Sequence, residues 1–218
     1  MIETYPWPLL SGALTAVSVL ALLIADWRSS RLGQWITKPL AAIGFLLAAL
    51  TLNALDSSYG VWLFVGLVLS FGGDVLLIPE SKKAFLAGLV SFLLAHVAYA
   101  VAFASLGLDT MGLVYTGITG LVGGALILPW LLPHTPQRMK VPVIVYTLAI
   151  LCMVTLAGGA VAQGANHWVL IGAVAFLISD LAVARNRFVA PGLNNRLWGA
   201  PLYFGAQHIL AWTLVWHG

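Results

Sequence analysis

The stretch VGLVLSFGGDVLLIPE, residues 65–80, sets Asp74 inside an apolar run of membrane-crossing character, and VLIGAVAFLISDLAVARNRF, residues 169–188, does the same for Asp180. Apolar runs of about 17–25 residues are long enough to span a bilayer as helices. An ionised carboxylate in hydrocarbon costs about 2.5–3.5 kcal/mol on an insertion scale, so an intramembrane aspartate is by default a functional-site hypothesis. Here there are two, in similar settings.

Working outward, the composition agrees. The chain is 61% hydrophobic and 8% charged, with a mean hydropathy of +0.99, whereas soluble domains are roughly 45–50% apolar. About eight apolar runs recur, roughly 8–25, 39–55, 60–78, 84–106, 111–132, 141–163, 166–184 and 198–216. This pattern predicts an all-α membrane protein of about eight transmembrane helices. It forms a single transmembrane domain over residues 1–218, with no room for a soluble one.

Orientation follows from the charges. The connections after spans one, three, five and seven hold Arg28, Arg31 and Lys38, then Lys82 and Lys83, then Arg138 and Lys140, then Arg185, Arg187 and Arg196, which are all the lysines and arginines in the chain. The positive-inside rule makes those loops cytoplasmic and puts both termini outside. Trp7, Trp62, Trp168 and Trp216 fall near outer ends, and Trp27, Trp35, Trp130 and Trp198 near inner ends, as interfacial belts require. The basic flank follows the first span instead of preceding it, the reverse of a cleaved secretory signal. Cys152 is alone in mid-span, so there is no disulfide framework. The net charge of +3 suits lipid head groups and topology better than nucleic acid.

The chain also resembles itself. ITKPLAAIGFLLAAL (36–50) and RMKVPVIVYTLAILCM (138–153) each place a lysine just before a proline, read as Pro39 and Pro142 at a first helical turn, where proline is tolerated. Asp74 and Asp180 follow near the inner ends of spans three and seven, and His96 and His208 lie in spans four and eight. Two parallel four-helix repeats, residues 1–106 and 107–218, account for this, since four spans preserve orientation.

Asp74 stands five residues before Pro79 and Asp180 five before Arg185, placing both about 7–8 Å below the cytoplasmic interface, where they can meet. Gly88, Ser91, Phe92 and Ala95 mark one side of span four, with His96 and Tyr99 continuing it deeper. Tyr203, Gln207 and His208 form the related track in span eight. The expected site is a polar pocket opening inward above hydrocarbon walls. Blander readings stand beside it. Either aspartate can be an ion-pair partner of Lys38 or Lys140, His96 a helix–helix hydrogen bond worth about 0.6 kcal/mol, and the two lysines snorkelling cations or phosphate contacts. His134, His167 and His217 sit at span ends and are read as solvated.

These residues carry a family likeness. Gly73-Asp74 with the following LLIP, FLAGLVSFLLAHVAYAVAF (85–103), Ser179-Asp180 through Asn186 and Phe188, YFGAQ (203–207) and Lys38-Pro39 together resemble the signature of the YhhN-like lysoplasmalogenases. The likeness covers nearly the whole chain; His208 lies outside it. It implies a polytopic membrane hydrolase cleaving the vinyl ether of lysoplasmalogens to a fatty aldehyde and glycerophosphocholine or glycerophosphoethanolamine. The partners expected are the lysophospholipid substrate and membrane lipids, without nucleic acid, and the location a bacterial inner (plasma) membrane.

The chemistry of the residues suits that activity. An acid protonates the enol ether carbon, water captures the oxocarbenium ion and the hemiacetal collapses. Two neighbouring carboxylates in low dielectric can take opposite protonation states, one as acid and one as base, and the charged one stabilises the cation as in glycosidases. Asp74 and Asp180 are the catalytic candidates. His96, Tyr99, Tyr203, Gln207 and Asn186 are assigned to substrate or water, and Lys38 to the phosphate, with no metal or cofactor. Two other classes fit in part. A zinc hydrolase would use His96, His208 and the aspartates, although straight-helix arithmetic sets the histidines roughly 10 Å deeper. A proton-coupled transporter would use mid-membrane carboxylates in parallel repeats, yet the polar residues gather at one face. The topology is testable: tags at Met1 and Gly218 are reached from outside sealed right-side-out membranes, while a cysteine placed beside Lys82 escapes an impermeant reagent. The opposite labelling would invert the orientation.

Overall fold

Four helices begin where a side chain can satisfy the backbone donors that a helix start leaves open. Ser30, Ser57, Ser81 and Asp109 each accept the N–H of the residue three further on, Gly33, Gly60, Ala84 and Gly112. The computed structural model describes residues 6–217; Met1 and Gly218, whose sidedness the charge pattern predicts, lie outside them. The helices are α1 (Trp7–Trp27), α2 (Arg31–Thr51), α3 (Ser58–Leu76), α4 (Lys82–Ser105), α5 (Thr110–Leu131), α6 (Gln137–Gln163), α7 (Trp168–Ala184), α8 (Leu193–Trp212) and the short α9 (Leu214–His217). A 3₁₀ turn (Leu132–His134) follows α5, and a π-helical turn (Arg185–Val189) prolongs α7. Gly164, at φ 119°, ends α6 in the left-handed conformation that glycine adopts without penalty.

Seven of these helices are long and apolar enough to cross a membrane, and the protein is an all-α membrane protein. Helix α8 has comparable length, but Asn194, Asn195 and Arg196 in its first turn, with Gln207 and His208 further on, keep it out of that set. Large apolar side chains lie on the outside, among them Leu121 at 74% and Leu126 at 70% exposure, the reverse of a soluble surface and suited to lipid. The tryptophans expected at the interfaces are all exposed, from Trp7 to Trp216.

One expectation is corrected. Pro39 and Pro142 are not at first helical turns: α2 starts after the Ser30 cap and α6 at Gln137, so both prolines lie inside helices. Each removes one backbone donor, which a membrane helix tolerates where neighbouring helices re-satisfy the backbone.

Sequential helices pair, α1 with α2, α3 with α4, α5 with α6 and α7 with α8. Further contacts run α2 to α3, α4 to α6, α6 to α7, and α8 back to α1 and α2, closing a ring of seven helices. Helix α5 packs on α6 outside that ring, and its face bears Tyr115, Ile118 and Val122 as exposed side chains. The ring's interior is filled by Phe45, Leu63, Leu67, Tyr99, Phe103, Phe176 and Phe204, each at most 1% exposed.

Close approach of α3 and α4 depends on Gly66, where any Cβ would overlap the Tyr99 ring. That ring is anchored because its hydroxyl donates to Gln207 Oε1 at 2.7 Å. Gly66→Ala should therefore destabilise the protein by about 1–3 kcal/mol, the scale of overpacking. Gly205→Ala, with nothing within 4 Å of the added carbon, should stay within about 0.5 kcal/mol. Unfolding in detergent measures both, and equal effects would contradict the packing.

Candidate active site

Asp74 occupies the last turn of α3, where the ring of helices opens toward the end that carries the basic residues. Its side chain is 2% exposed, and both oxygens have partners. Lys38 of α2 lies 3.2 Å from Oδ1 and also donates to the Asp74 carbonyl at 3.1 Å. The Tyr203 hydroxyl of α8 donates to Oδ2 at 2.7 Å. Three helices thus converge on one carboxyl group, with an ammonium beside it. The ion-pair reading of Lys38 is the one realised; Lys140 has no part in it.

Asp180 is built differently. It sits on α7 with 16% of its side chain exposed. The Tyr146 hydroxyl of α6 donates to Oδ2 at 2.5 Å, and His96 Nε2 of α4 is 3.6 Å from the same oxygen. Among the described residues no lysine or arginine pairs with it. Oδ1 has no hydrogen-bond partner among those residues.

Both aspartates line one cavity of about 310 Å³. Part of the lining is polar, with Asp26, Gln34, Lys38 and Arg196, and it is braced by Asp26, which accepts from Gln34 at 2.7 Å and from Arg196 at 2.8 Å. Much of the rest is apolar, including Val143 and Ile150 of α6, Ile127 and Leu131 of α5, Leu177 and Leu181 of α7. A molecule with a polar head and a hydrocarbon tail fits such walls.

The predicted residues divide. Lys38, Asp74, Asp180, Asn186 and Tyr203 line the cavity, whereas His96, Tyr99 and Gln207 do not. Tyr99 and Gln207 are fully buried and hydrogen-bonded to each other behind the cavity, with Ser70 at 3.3 Å from the tyrosine hydroxyl. They support the floor of the site. Ser91, expected on the polar track, donates to the Leu69 carbonyl at 2.6 Å and ties α4 to α3. His208 does not approach His96: its Nε2 lies 2.8 Å from Thr15 Oγ1 of α1, so the two histidines and the aspartates do not form one cluster.

His96 overturns the depth arithmetic. It is not some 10 Å below the aspartates but beside Asp180, packed edge-on to Tyr146 with ring centroids 5.0 Å apart. The π-helical turn accounts for part of this. The helix bearing Asp180 runs on to Val189 instead of ending at Arg185, so Asp180 lies nine residues, about 13 Å, from that end. His96 is 0% exposed, and neither ring nitrogen has a hydrogen-bond partner.

Sequence reasoning missed Tyr146, though a tyrosine hydroxyl in an otherwise apolar span was a usable signal. It also missed the bracing of the π turn. Arg185 donates to Asn195 Oδ1 at 2.5 Å, and Asn195 donates to Asn186 Oδ1 at 3.2 Å and to the Ala190 carbonyl at 2.7 Å. No sequence pattern marks a π turn.

Fold and site together define an integral membrane protein with two carboxylates facing one amphipathic cavity. Residues 33–214 match the YhhN family, and the chain belongs to that family. It is similar to the lysoplasmalogenase of Mycobacterium bovis, 33% identical over 177 residues that cover 78% of this chain and 66% of that protein. The chain therefore spans just under two thirds of the length of that relative. The human lysoplasmalogenase TMEM86A is 33% identical over 187 residues, 83% of this chain and 73% of that protein. The pig lysoplasmalogenase TMEM86B is 30% identical over 190 residues, 82% and 75%. No solved structure matches the chain.

The two partners of Asp74 make a stability prediction. Lys38→Met leaves a buried carboxylate without its cation and should destabilise by about 3 kcal/mol, the low end for an uncompensated buried charge. Adding Asp74→Asn to that variant should recover most of the loss. Unfolding of the three proteins in detergent tests it, and additive losses would show that the pair is not coupled.

Proposed function

We propose that this chain is a lysoplasmalogenase, hydrolysing the vinyl ether of a lysoplasmalogen to a fatty aldehyde and glycerophosphocholine or glycerophosphoethanolamine. The names of its relatives support this reading. The observation that carries it is the contrast between the aspartates: one cavity, one carboxylate paired with a cation, the other with neutral partners and an uncommitted oxygen.

Asp180 acts as the acid. It lines the cavity with Tyr146 holding Oδ2, and it delivers a proton to the enol ether carbon. The C=C electron pair takes that proton, and the ether oxygen shares the resulting positive charge. Asp74, kept anionic by Lys38 and oriented by Tyr203, stabilises the oxocarbenium ion and takes a proton from the water that adds to it. The hemiacetal then collapses. The proton on Asp74 goes to the departing glycerol oxygen, and the hemiacetal hydroxyl returns one to Asp180, restoring both groups. His96 sets the position of Asp180 from behind, and Asn186 lies at the cavity rim. Lys38, committed to Asp74, serves that charge and not the phosphate.

We further read α8 as the eighth crossing, with both termini outside and the cavity opening to the cytoplasm of a bacterial plasma membrane. Residues 1–218 then form one domain of two parallel repeats. In each half a side chain of the second helix reaches the aspartate of the third, Lys38 to Asp74 and Tyr146 to Asp180, which supports the duplication.

Purified protein in detergent should release aldehyde from a lysoplasmalogen and leave the matching ester and alkyl-ether lysolipids intact. Equal activity on the ester would point to a general lipase instead. Asp74→Asn and Asp180→Asn should each lower turnover at least about a hundredfold, the scale of lost general acid–base catalysis. Near-normal turnover in either variant would make that aspartate structural and end the two-carboxylate mechanism.

A further inference from the structure

Three cationic side chains line the cavity: Lys38, Arg187 and Arg196. Two are committed, Lys38 to Asp74 at 3.2 Å and Arg196 to Asp26 at 2.8 Å. Arg187 has no carboxylate partner among the described residues. Its guanidinium carbon instead lies 4.2 Å from the centroid of the Phe85 ring. A guanidinium over an aromatic face is held by the ring quadrupole and keeps N–H groups able to donate.

The position is fixed as well as uncommitted. Arg187 sits in the π-helical turn, a rare conformation that tends to mark functional sites. That turn is closed by Ala190 N–H donating to the Arg185 carbonyl at 2.8 Å, and it is braced from α8 by Asn195. Phe188 packs edge-on to Phe85 with centroids 5.9 Å apart, joining the turn to the start of α4. Along its own helix Arg187 is seven residues beyond Asp180, about 10 Å toward the basic end. The cavity lining thus holds two carboxylates, apolar side chains and, about two helical turns along α7 from Asp180, an arginine.

We propose that Arg187 binds the phosphodiester of the lysolipid head group, holding it at the mouth while the glycerol carbons span to the vinyl ether at Asp180. This rests on the hydrolase reading above and adds its anion site. The phosphodiester is the one anion such a substrate carries, and a guanidinium fork suits it through paired charge-assisted hydrogen bonds. Lys38 was the sequence-based candidate for this contact, and its ammonium lies against Asp74 Oδ1 at 3.2 Å.

The test uses two uncleavable ligands, a 1-O-alkyl lysophosphatidylcholine and the 1-O-alkylglycerol of the same chain length, titrated into purified full-length protein in detergent. Arg187→Gln should weaken binding of the phospholipid by about tenfold to a hundredfold, the scale of a lost charge-assisted hydrogen bond, and leave the alkylglycerol unchanged. Arg187→Lys, keeping a point charge without the fork, should fall between. Unchanged phospholipid binding in Arg187→Gln would overturn the proposal. So would an equal loss for both ligands, which marks a structural role in the π turn. Inorganic phosphate alone should not saturate the wild type in the lysolipid's concentration range; if it does, this is a free-anion site and the head-group assignment fails. Because neither ligand is cleaved, the result is independent of turnover. Selective loss in a protein that releases no aldehyde would support the anion site and overturn the hydrolase reading alone.

Discussion

Two carboxylates inside an apolar bundle have to be compensated by the bundle itself, and much of the interior is arranged to do so. Asp74 draws Lys38 from α2 and Tyr203 from α8 to the end of α3. Asp180 draws Tyr146 from α6 and His96 from α4 to the middle of a prolonged α7. Six helices are thereby tied to two side chains. A buried charge without a partner is strongly destabilising, so the carboxylates organise the ring of helices as much as they are housed by it.

The compensation is unequal, and that inequality makes the site chemically useful. Symmetric pairing would leave two equivalent carboxylates, neither suited to give up a proton while the other receives one. In the proposed reaction, a cation beside one aspartate and hydroxyl and imidazole groups beside the other set the two roles apart. Aromatic packing keeps this separation rigid. Phe176 contacts His96, Tyr99 and Tyr203 edge-on or tilted, with centroids 4.8, 6.1 and 5.4 Å away, so one ring supports partners of both aspartates.

The ring also decides what can reach the site. Helix α5 stands outside it and shields little, so Ile127 and Leu131 can contribute to the cavity's apolar wall while the rest of α5 faces lipid. The polar part of the lining is cross-braced through Asp26. An amphipathic molecule would find both kinds of surface in the one cavity that both aspartates line.

The sequence alone determined the class of the protein and singled out the two aspartates that line its cavity. Helical membrane character follows from apolar length, and the importance of Asp74 and Asp180 follows from the cost of charge in hydrocarbon; both are local properties of a run of residues. Tyr203 and Lys38 were legible beside them as polar groups on neighbouring spans. What the tertiary structure decided was who meets whom. Straight-helix arithmetic set His96 too deep in part because a π turn prolonged α7 by five residues, and no composition signals such a turn. Tyr99 and Gln207 proved to face each other behind the cavity, not into it, and Lys38 pairs with Asp74. Tyr146 and Arg187 entered the site from spans whose local sequence looks like any other membrane segment or basic loop. Depth and rotation of one helix against the next are set by packing across the ring, among residues far apart in the chain, and a local pattern carries no record of those distances.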